Sequence, residues 1–173
     1  IITLGSHTLQ LTEKIGSGSF GDMYAATTND GGNVAVKICG ADEARLRQLM
    51  FENKMYEVLK GGDGIANAQR LQTSTVNNSV YNILVMDRLG HSIEDLFRSV
   101  PPTHLDAERV VDYRLRNVIM LSHQLITRVE YLHSKCFIHR DIKPENFMIG
   151  RDRPDLVYTV SYTHLRAHET RPY

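Results

Sequence analysis

The stretch His139-Arg140-Asp141-Ile142-Lys143-Pro144-Glu145-Asn146 gathers a carboxylate, an ammonium and a carboxamide within a few residues. A carboxylate at Asp141 can accept a hydrogen bond from a substrate hydroxyl and orient it for in-line attack on phosphorus. Asn146, five positions on, can turn its carboxamide oxygen to Mg2+, and Lys143 can neutralise charge growing on a transferred phosphoryl group. The stretch fits H-R-D-x-x-x-x-N at every fixed position. The bland alternative is a charged surface loop with coincidental residues, and the helical pattern before it and strand pattern after it count against that. The chemistry expected is phosphoryl transfer.

Two earlier segments fit the same chemistry. Gly16-Ser17-Gly18-Ser19-Phe20-Gly21 has the G-x-G-x-x-G spacing. Alone the signal is weak, because dinucleotide-binding folds use it where a strand leads directly into a helix. Here the glycines lie between two strand-like segments, which suits a flap whose backbone N–H groups approach phosphate oxygens. An ordinary glycine-rich hairpin is the competing reading. Val34-Ala35-Val36-Lys37 then sets a lysine inside an apolar strand. A buried ammonium is costly unless paired; the alternative is a lysine snorkelling to water. Glu52 on the next helix is the favoured partner, with Glu43 and Glu57 as competitors.

The elements that must position these groups follow from periodicity. Thr8 to Ile15 alternates apolar and polar residues, Met23-Tyr24-Ala25-Ala26 offers a second strand, and Asn29-Asp30-Gly31-Gly32 predicts a hairpin into Val34–Ile38. Leu46, Leu49, Met50, Met55, Tyr56 and Leu59 recur at helical spacing over 42–60, and Gly61-Gly62 ends the run. Strands near 71–76 and 81–86 flank an Asn77-Asn78-Ser79 turn. Ser92 can cap a short helix with Glu94 and Asp95 in its first turn, ended by Pro101-Pro102. The longest helix is expected over about 110–135, with Leu115, Val118, Ile119, Leu125, Ile126, Val129 and Leu132 as its apolar stripe. After Phe137 a loop is expected, then strands at 147–149 and 156–158. A β-rich lobe with one helix thus precedes the start of a helical lobe, and ligands commonly bind at such junctions.

The 173 residues suit about one domain. Twenty Lys+Arg balance twenty Asp+Glu, and 42% hydrophobic residues are ordinary for a folded chain. No apolar run is long enough to span a membrane, no secretory signal is visible, and the missing initiator Met suggests an incomplete start. Neutral charge gives no support for a nucleic-acid or membrane partner. Cys39 and Cys136 form no framework and are both expected as buried, reduced thiols. The expected setting is the cytoplasm, with the nucleus as a second location.

The chain resembles the eukaryotic protein kinases, and within them the casein kinase I family. The resemblance rests on Lys14 through Tyr24, on Met86-Asp87-Arg88-Leu89-Gly90, on Ser92-Ile93-Glu94-Asp95-Leu96-Phe97, and on Tyr131-Leu132-His133-Ser134-Lys135 running into the Asp141 loop. It covers about residues 3–159. It implies an α+β, bilobal kinase fold: an antiparallel-sheet N-lobe with its helix over 1–86, a hinge over 87–91, and the first part of a helical C-lobe over 92–159. It implies a serine/threonine kinase that uses ATP and Mg2+ on protein substrates, acidic or already phosphorylated ones preferred, acting as a monomer when full length. Asp141 would be the catalytic base, with Lys143 and Asn146 beside it. Lys37 and Glu52 would form the lysine–glutamate pair. Gly16, Ser17, Gly18, Ser19, Phe20, Gly21, Asp22 and Met23 would cover the phosphates, and Ile15 and Ala35 would flank the adenine. Met86 would be the gatekeeper, and the main chain of Asp87 and Leu89 would meet the base while the hinge side chains face outward.

The tail departs from that pattern. Kinases carry a second acidic metal ligand, the Asp of Asp-Phe-Gly, soon after the catalytic loop, but Thr159-Val160-Ser161 follows Tyr158 here and no such triplet occurs. Residues 160–173 instead resemble the conceptual translation of a transposase sequencing adaptor. A metal site at His164, His168 and Glu169 is the weaker reading, since the Glu of a metalloprotease helix is missing. The natural sequence is therefore expected to diverge near Thr159, the parent protein to be an active kinase, and the chain as written to be inactive and to expose apolar surface on its long helix. A pseudokinase or nucleotide-binding module without catalysis is the alternative function.

Overall fold

The computed structural model describes residues 1–5, 7–18, 21–69, 71–99, 107–160 and 166–167. They fall into two compact units: Ile1–Lys60 with Ala66–Arg88, and Gly61–Ile65 with the chain from Leu89 onward.

The first unit is built on a six-stranded antiparallel sheet: β1 (Ile2–Leu4), β2 (His7–Gly18), β3 (Gly21–Thr28), β4 (Asn33–Gly40), β5 (Gln72–Val76) and β6 (Ser79–Asp87). The strand order is β1-β2-β3-β4-β6-β5. The hairpin expected at Asn29–Gly32 forms, with Gly31 at φ 85°, and Asn77 and Asn78 both take positive φ to close β5 onto β6. β1 was not foreseen: Gly5 at φ 59° turns the chain so that Ile2 pairs with Leu9. Strand alternation sends Leu9, Ala26, Val36, Ile83 and Val85 to one face, where Ile2 and Leu4 complete a buried core. The Ser74 hydroxyl donates to the Thr3 carbonyl at 3.2 Å. The two edge strands are thereby drawn together, and the sheet is curled around this core.

Helix α1 (Glu43–Leu59) covers the other face. Asp42 caps it by accepting the Arg45 N–H at 2.9 Å, and Gly61 at φ 84° follows its end. Its buried side chains are Leu49, Glu52, Met55, Tyr56 and Leu59.

In the second unit, α2 (Ile93–Ser99) begins with a reciprocal cap. Ser92 Oγ accepts the Asp95 N–H at 3.0 Å, and Asp95 Oδ2 accepts the Ser92 N–H at 3.1 Å. Helix α3 spans Ala107–Ser134. Strands β8 (Phe147–Ile149) and β9 (Val157–Thr159) form a hairpin, and β7 (Phe137–Ile138), where a loop was expected, pairs with β10 (Arg166–Ala167). Ile93, Phe147 and Val157 make the core, with Leu121, Leu125 and Val129 of α3 packed against it. The expected stripe divides: Leu132 is fully buried, whereas Leu115, Val118, Ile119 and Ile126 are exposed.

Cys39 is buried, and burial pushes its thiol pKa up. Cys136 is exposed, contrary to expectation. It takes a left-handed φ of 63° just after α3, with its N–H on the His133 carbonyl at 2.8 Å. The turn, and not its apolar neighbours in sequence, decides its exposure. Pro101-Pro102 and the His164, His168 and Glu169 trio lie outside the described residues.

Candidate active site

The sheet of the first unit brings several of the expected residues to one face. Ala35 pairs with Ala25 on one side and Met86 on the other, and Lys37 pairs with Met23 and Leu84. Because side chains alternate along a strand, Met23, Ala35, Lys37 and Met86 point the same way, towards α1. Of the three glutamates open to Lys37, the structure selects Glu52: its Oε2 pairs with the Lys37 ammonium, and both side chains are largely withdrawn from water. Glu43 pairs instead with Arg47, and Glu57 accepts from Asn53. One turn beyond Glu52, the buried Tyr56 hydroxyl lies 3.7 Å from Met86 Sδ. One helix face thus holds both Lys37 and Met86.

Gly16 and Gly18 lie at the end of β2 and Gly21 opens β3, with Gly16 paired to Met23 and Gly18 to Gly21. Ile15 sits at a register shift between Lys14 and Gly16, a bulge that leaves it half exposed. Ser17 donates to Asp22 at 2.7 Å and Lys14 pairs with Asp22 at 2.8 Å. These contacts hold the Asp22 carboxyl below its usual range and push the Lys14 ammonium up. Asp22 pairs with Ile38, so its side chain is on the sheet face away from Lys37. Only Gly21 is demanded by the fold: at φ +139°, a Cβ there would lie 2.6 Å from the Ile38 carbonyl oxygen. At Gly16 and Gly18 the nearest atoms would be at 3.5 and 3.9 Å, ordinary contacts. Ser19 and Phe20 lie outside the described residues.

At the end of β6, the Asp87 carboxylate accepts both the N–H and the side-chain amide of Asn67 at 2.8 Å. Arg88 pairs with Glu13 at 2.7 Å. These two side chains are therefore engaged, where sequence reasoning had them simply facing outward. The first unit ends at Arg88, and Leu89 belongs to the second.

In the second unit the Asp141 loop is tightly tied. Asn146, 7% exposed, donates from Nδ2 to the Asp141 carbonyl at 2.7 Å and to Asp141 Oδ2 at 2.8 Å. The Lys143 ammonium meets the same carboxylate oxygen at 3.0 Å. A 3-10 turn over Pro144–Asn146 makes this convergence possible: Pro144 presets its first position, and the Asn146 N–H returns to the Lys143 carbonyl at 2.9 Å. Arg140 takes a left-handed φ of 66°, the local reversal that brings Asp141 back beside His139.

His139, which sequence reasoning used only as a motif letter, is 1% exposed and stacks on Phe147. Its Nδ1 accepts the Asp141 N–H at 3.3 Å, so the ring proton sits on Nε2 and faces the Val160 carbonyl at 3.3 Å. With its NH2 group committed to Asp141, the Asn146 carboxamide turns its oxygen to the opposite side, the end a hard cation takes. Among the described residues, no cluster of three or more His, Cys, Asp or Glu could hold a metal ion, and no helix is long and apolar enough to cross a membrane.

The sequence from 9 to 157 matches the protein kinase domain family. The chain belongs to the protein kinases. The sheet from Leu9 of β2 through β6, helix α1 and the Asp141 loop lie within the matched stretch of this kinase domain, and its substrates are accordingly proteins.

Proposed function

We propose that the protein is a serine/threonine kinase of the casein kinase I type, transferring the γ-phosphoryl group of ATP to a protein hydroxyl. The observation that carries this reading is the convergence of Asn146 and Lys143 on Asp141 Oδ2. That arrangement fixes a carboxylate with a cation at its side, as hydroxyl activation requires. The substrate oxygen attacks the γ-phosphorus while the bond to the ADP oxygen breaks, and Asp141 takes the hydroxyl proton. Lys143 offsets charge on the phosphoryl oxygens. The Lys37 ammonium, oriented by Glu52, binds the α- and β-phosphates. Gly16 to Met23 lie over the phosphates, Ile15 and Ala35 flank adenine, Met86 borders the base, and Asp87 and Leu89 offer it main-chain groups. Asn146 would hold Mg2+ through its carboxamide oxygen, and the ion would supply charge neutralisation at the phosphates.

The chain as written carries Thr159-Val160-Ser161 where a second acidic ligand is needed, so we infer that this polypeptide is inactive and its parent active. That same absence favours the second reading, a nucleotide-binding module without catalysis. The complete transcript decides between them: an Asp-Phe-Gly or Asp-Leu-Gly after Tyr158 supports the enzyme. The direct test is transfer of labelled phosphate to casein by the protein encoded by that transcript and by its Asp141→Asn variant. Loss of labelling in the variant is expected; equal labelling removes Asp141 from its role.

A further inference from the structure

We propose that Gln124 and Arg128 are positioning residues for the Asp141 loop, acting through the main chain of β9. The proposal builds on the reading of Asp141 and Asn146 given above.

The two residues stand one turn apart on α3 and act as a substitute for a neighbouring strand. The Gln124 oxygen accepts the Val157 N–H at 2.9 Å, and its Nε2 donates to the Asp155 carbonyl at 3.0 Å. Arg128 Nε donates to the Val157 carbonyl at 3.0 Å, and its Nη2 reaches the Gln124 oxygen at 3.4 Å. Both main-chain groups of Val157 are thus held by side chains. Arg128 is only 4% exposed, a costly place for a guanidinium unless its hydrogen bonds determine something. Asp63 supplies opposing charge near it.

From Val157 the restraint continues residue by residue. The Thr159 N–H meets the Gly64 carbonyl at 2.9 Å, and the Val160 N–H meets the Asn146 carbonyl at 3.0 Å. The Val160 carbonyl faces His139 Nε2, and His139 Nδ1 holds the Asp141 N–H. A hydrogen-bonded path therefore runs from α3 through β9 to the two residues placed at the chemistry. Every group it uses at residue 160 is main chain, so the side chain there is immaterial. Gly64 completes the arrangement: at φ +70°, a Cβ would lie 2.0 Å from Arg128 Nε and 2.3 Å from the Val157 carbonyl oxygen. Displacing a reacting group by about 1 Å can cost on the order of 100-fold in rate, so a strand that fixes Asn146 and His139 bears directly on turnover.

The test combines amide hydrogen exchange on the full chain with kinetics of the protein from the complete transcript, for Arg128→Met, Arg128→Lys and Gln124→Met. The expected result is faster exchange confined to Val157, Thr159, Val160 and Asp141. In the kinetics, kcat should fall roughly 10-fold while KM for ATP stays within about twofold. Arg128→Lys, whose ammonium can reach the Val157 carbonyl, should recover part of the loss. Gln124→Met, the milder change, carries the test if Arg128→Met does not fold. Unchanged exchange at the Asp141 amide, or exchange raised evenly through the second unit with kcat tracking the folded fraction, overturns the proposal. A wild type that transfers no phosphate refutes the kinase reading instead, and the exchange pattern alone then decides whether the path exists.

Discussion

Lys37 on β4 and Glu52 on α1 form an ion pair whose side chains are 14% and 4% exposed. Such a pair is worth little against apolar residues of the same shape, but breaking it strands a charge. Glu52→Ala is expected to destabilise the first unit by about 3 kcal/mol, and Lys37→Met with Glu52→Leu together by much less. Urea unfolding of both variants checks this; equal losses would show that the pair is not what the buried charges depend on.

The three glycines Gly16, Gly18 and Gly21, two ending β2 and one opening β3, separate fold from binding. Gly21→Ala forces a Cβ onto the Ile38 carbonyl and should cost about 1–3 kcal/mol. Gly16→Ala and Gly18→Ala should leave stability within about 0.5 kcal/mol yet weaken ATP binding, because the added methyl groups hold the backbone off the phosphates. Calorimetric titration with ATP alongside thermal melts distinguishes these outcomes. Unweakened binding in both variants would remove the flap role.

Asn146→Ala removes both hydrogen bonds to Asp141 and the proposed cation ligand. In the protein from the complete transcript, the Mg2+ concentration giving half-maximal transfer should rise roughly 10-fold or more. An unshifted Mg2+ titration at saturating ATP would leave Asn146 with a purely structural part.

The cap of α2 makes stability depend on acid. Hydrogen bonds from the Ser92 hydroxyl and N–H hold the Asp95 carboxyl below its ordinary value of 3.8. A depressed carboxyl stabilises the fold in full above that ordinary value, and the contribution is lost as pH falls through the lower folded-state value. Ser92→Ala should cost about 1 kcal/mol at neutral pH and flatten this acid dependence. Urea midpoints at pH 7 and pH 3 for wild type and variant measure it.

The tail gives a prediction that needs no protein. Independent cDNA from the same transcript should replace residues 160–173 with different sequence. Recovery of the same tail would make it native.

Much of this was legible before any coordinates, and the reasons are local. Asn29–Gly32 and Ser92 signal a turn and a cap through single-residue backbone chemistry, and both fall where expected. The partner of Lys37 was not fixed by spacing, since three glutamates compete along one helix; strand register and helix packing chose Glu52. The short strands β1 and β7 escaped notice because two or three residues carry no readable period. The burial of His139 and the hold of Gln124 and Arg128 on Val157 were invisible for another reason. They join residues far apart in sequence through main-chain groups that every residue possesses.

Gly61–Ile65 is grouped with the second unit although the chain on both sides of it belongs to the first. The two halves therefore cannot be separated by one cut. A polypeptide starting at Leu89 would lack the Gly64 carbonyl that receives Thr159, leaving that N–H of β9 without its acceptor. Split-gene complementation at the Arg88–Leu89 junction would thus begin with a damaged half, whereas a design that grafts 61–65 back onto it would restore the missing seam.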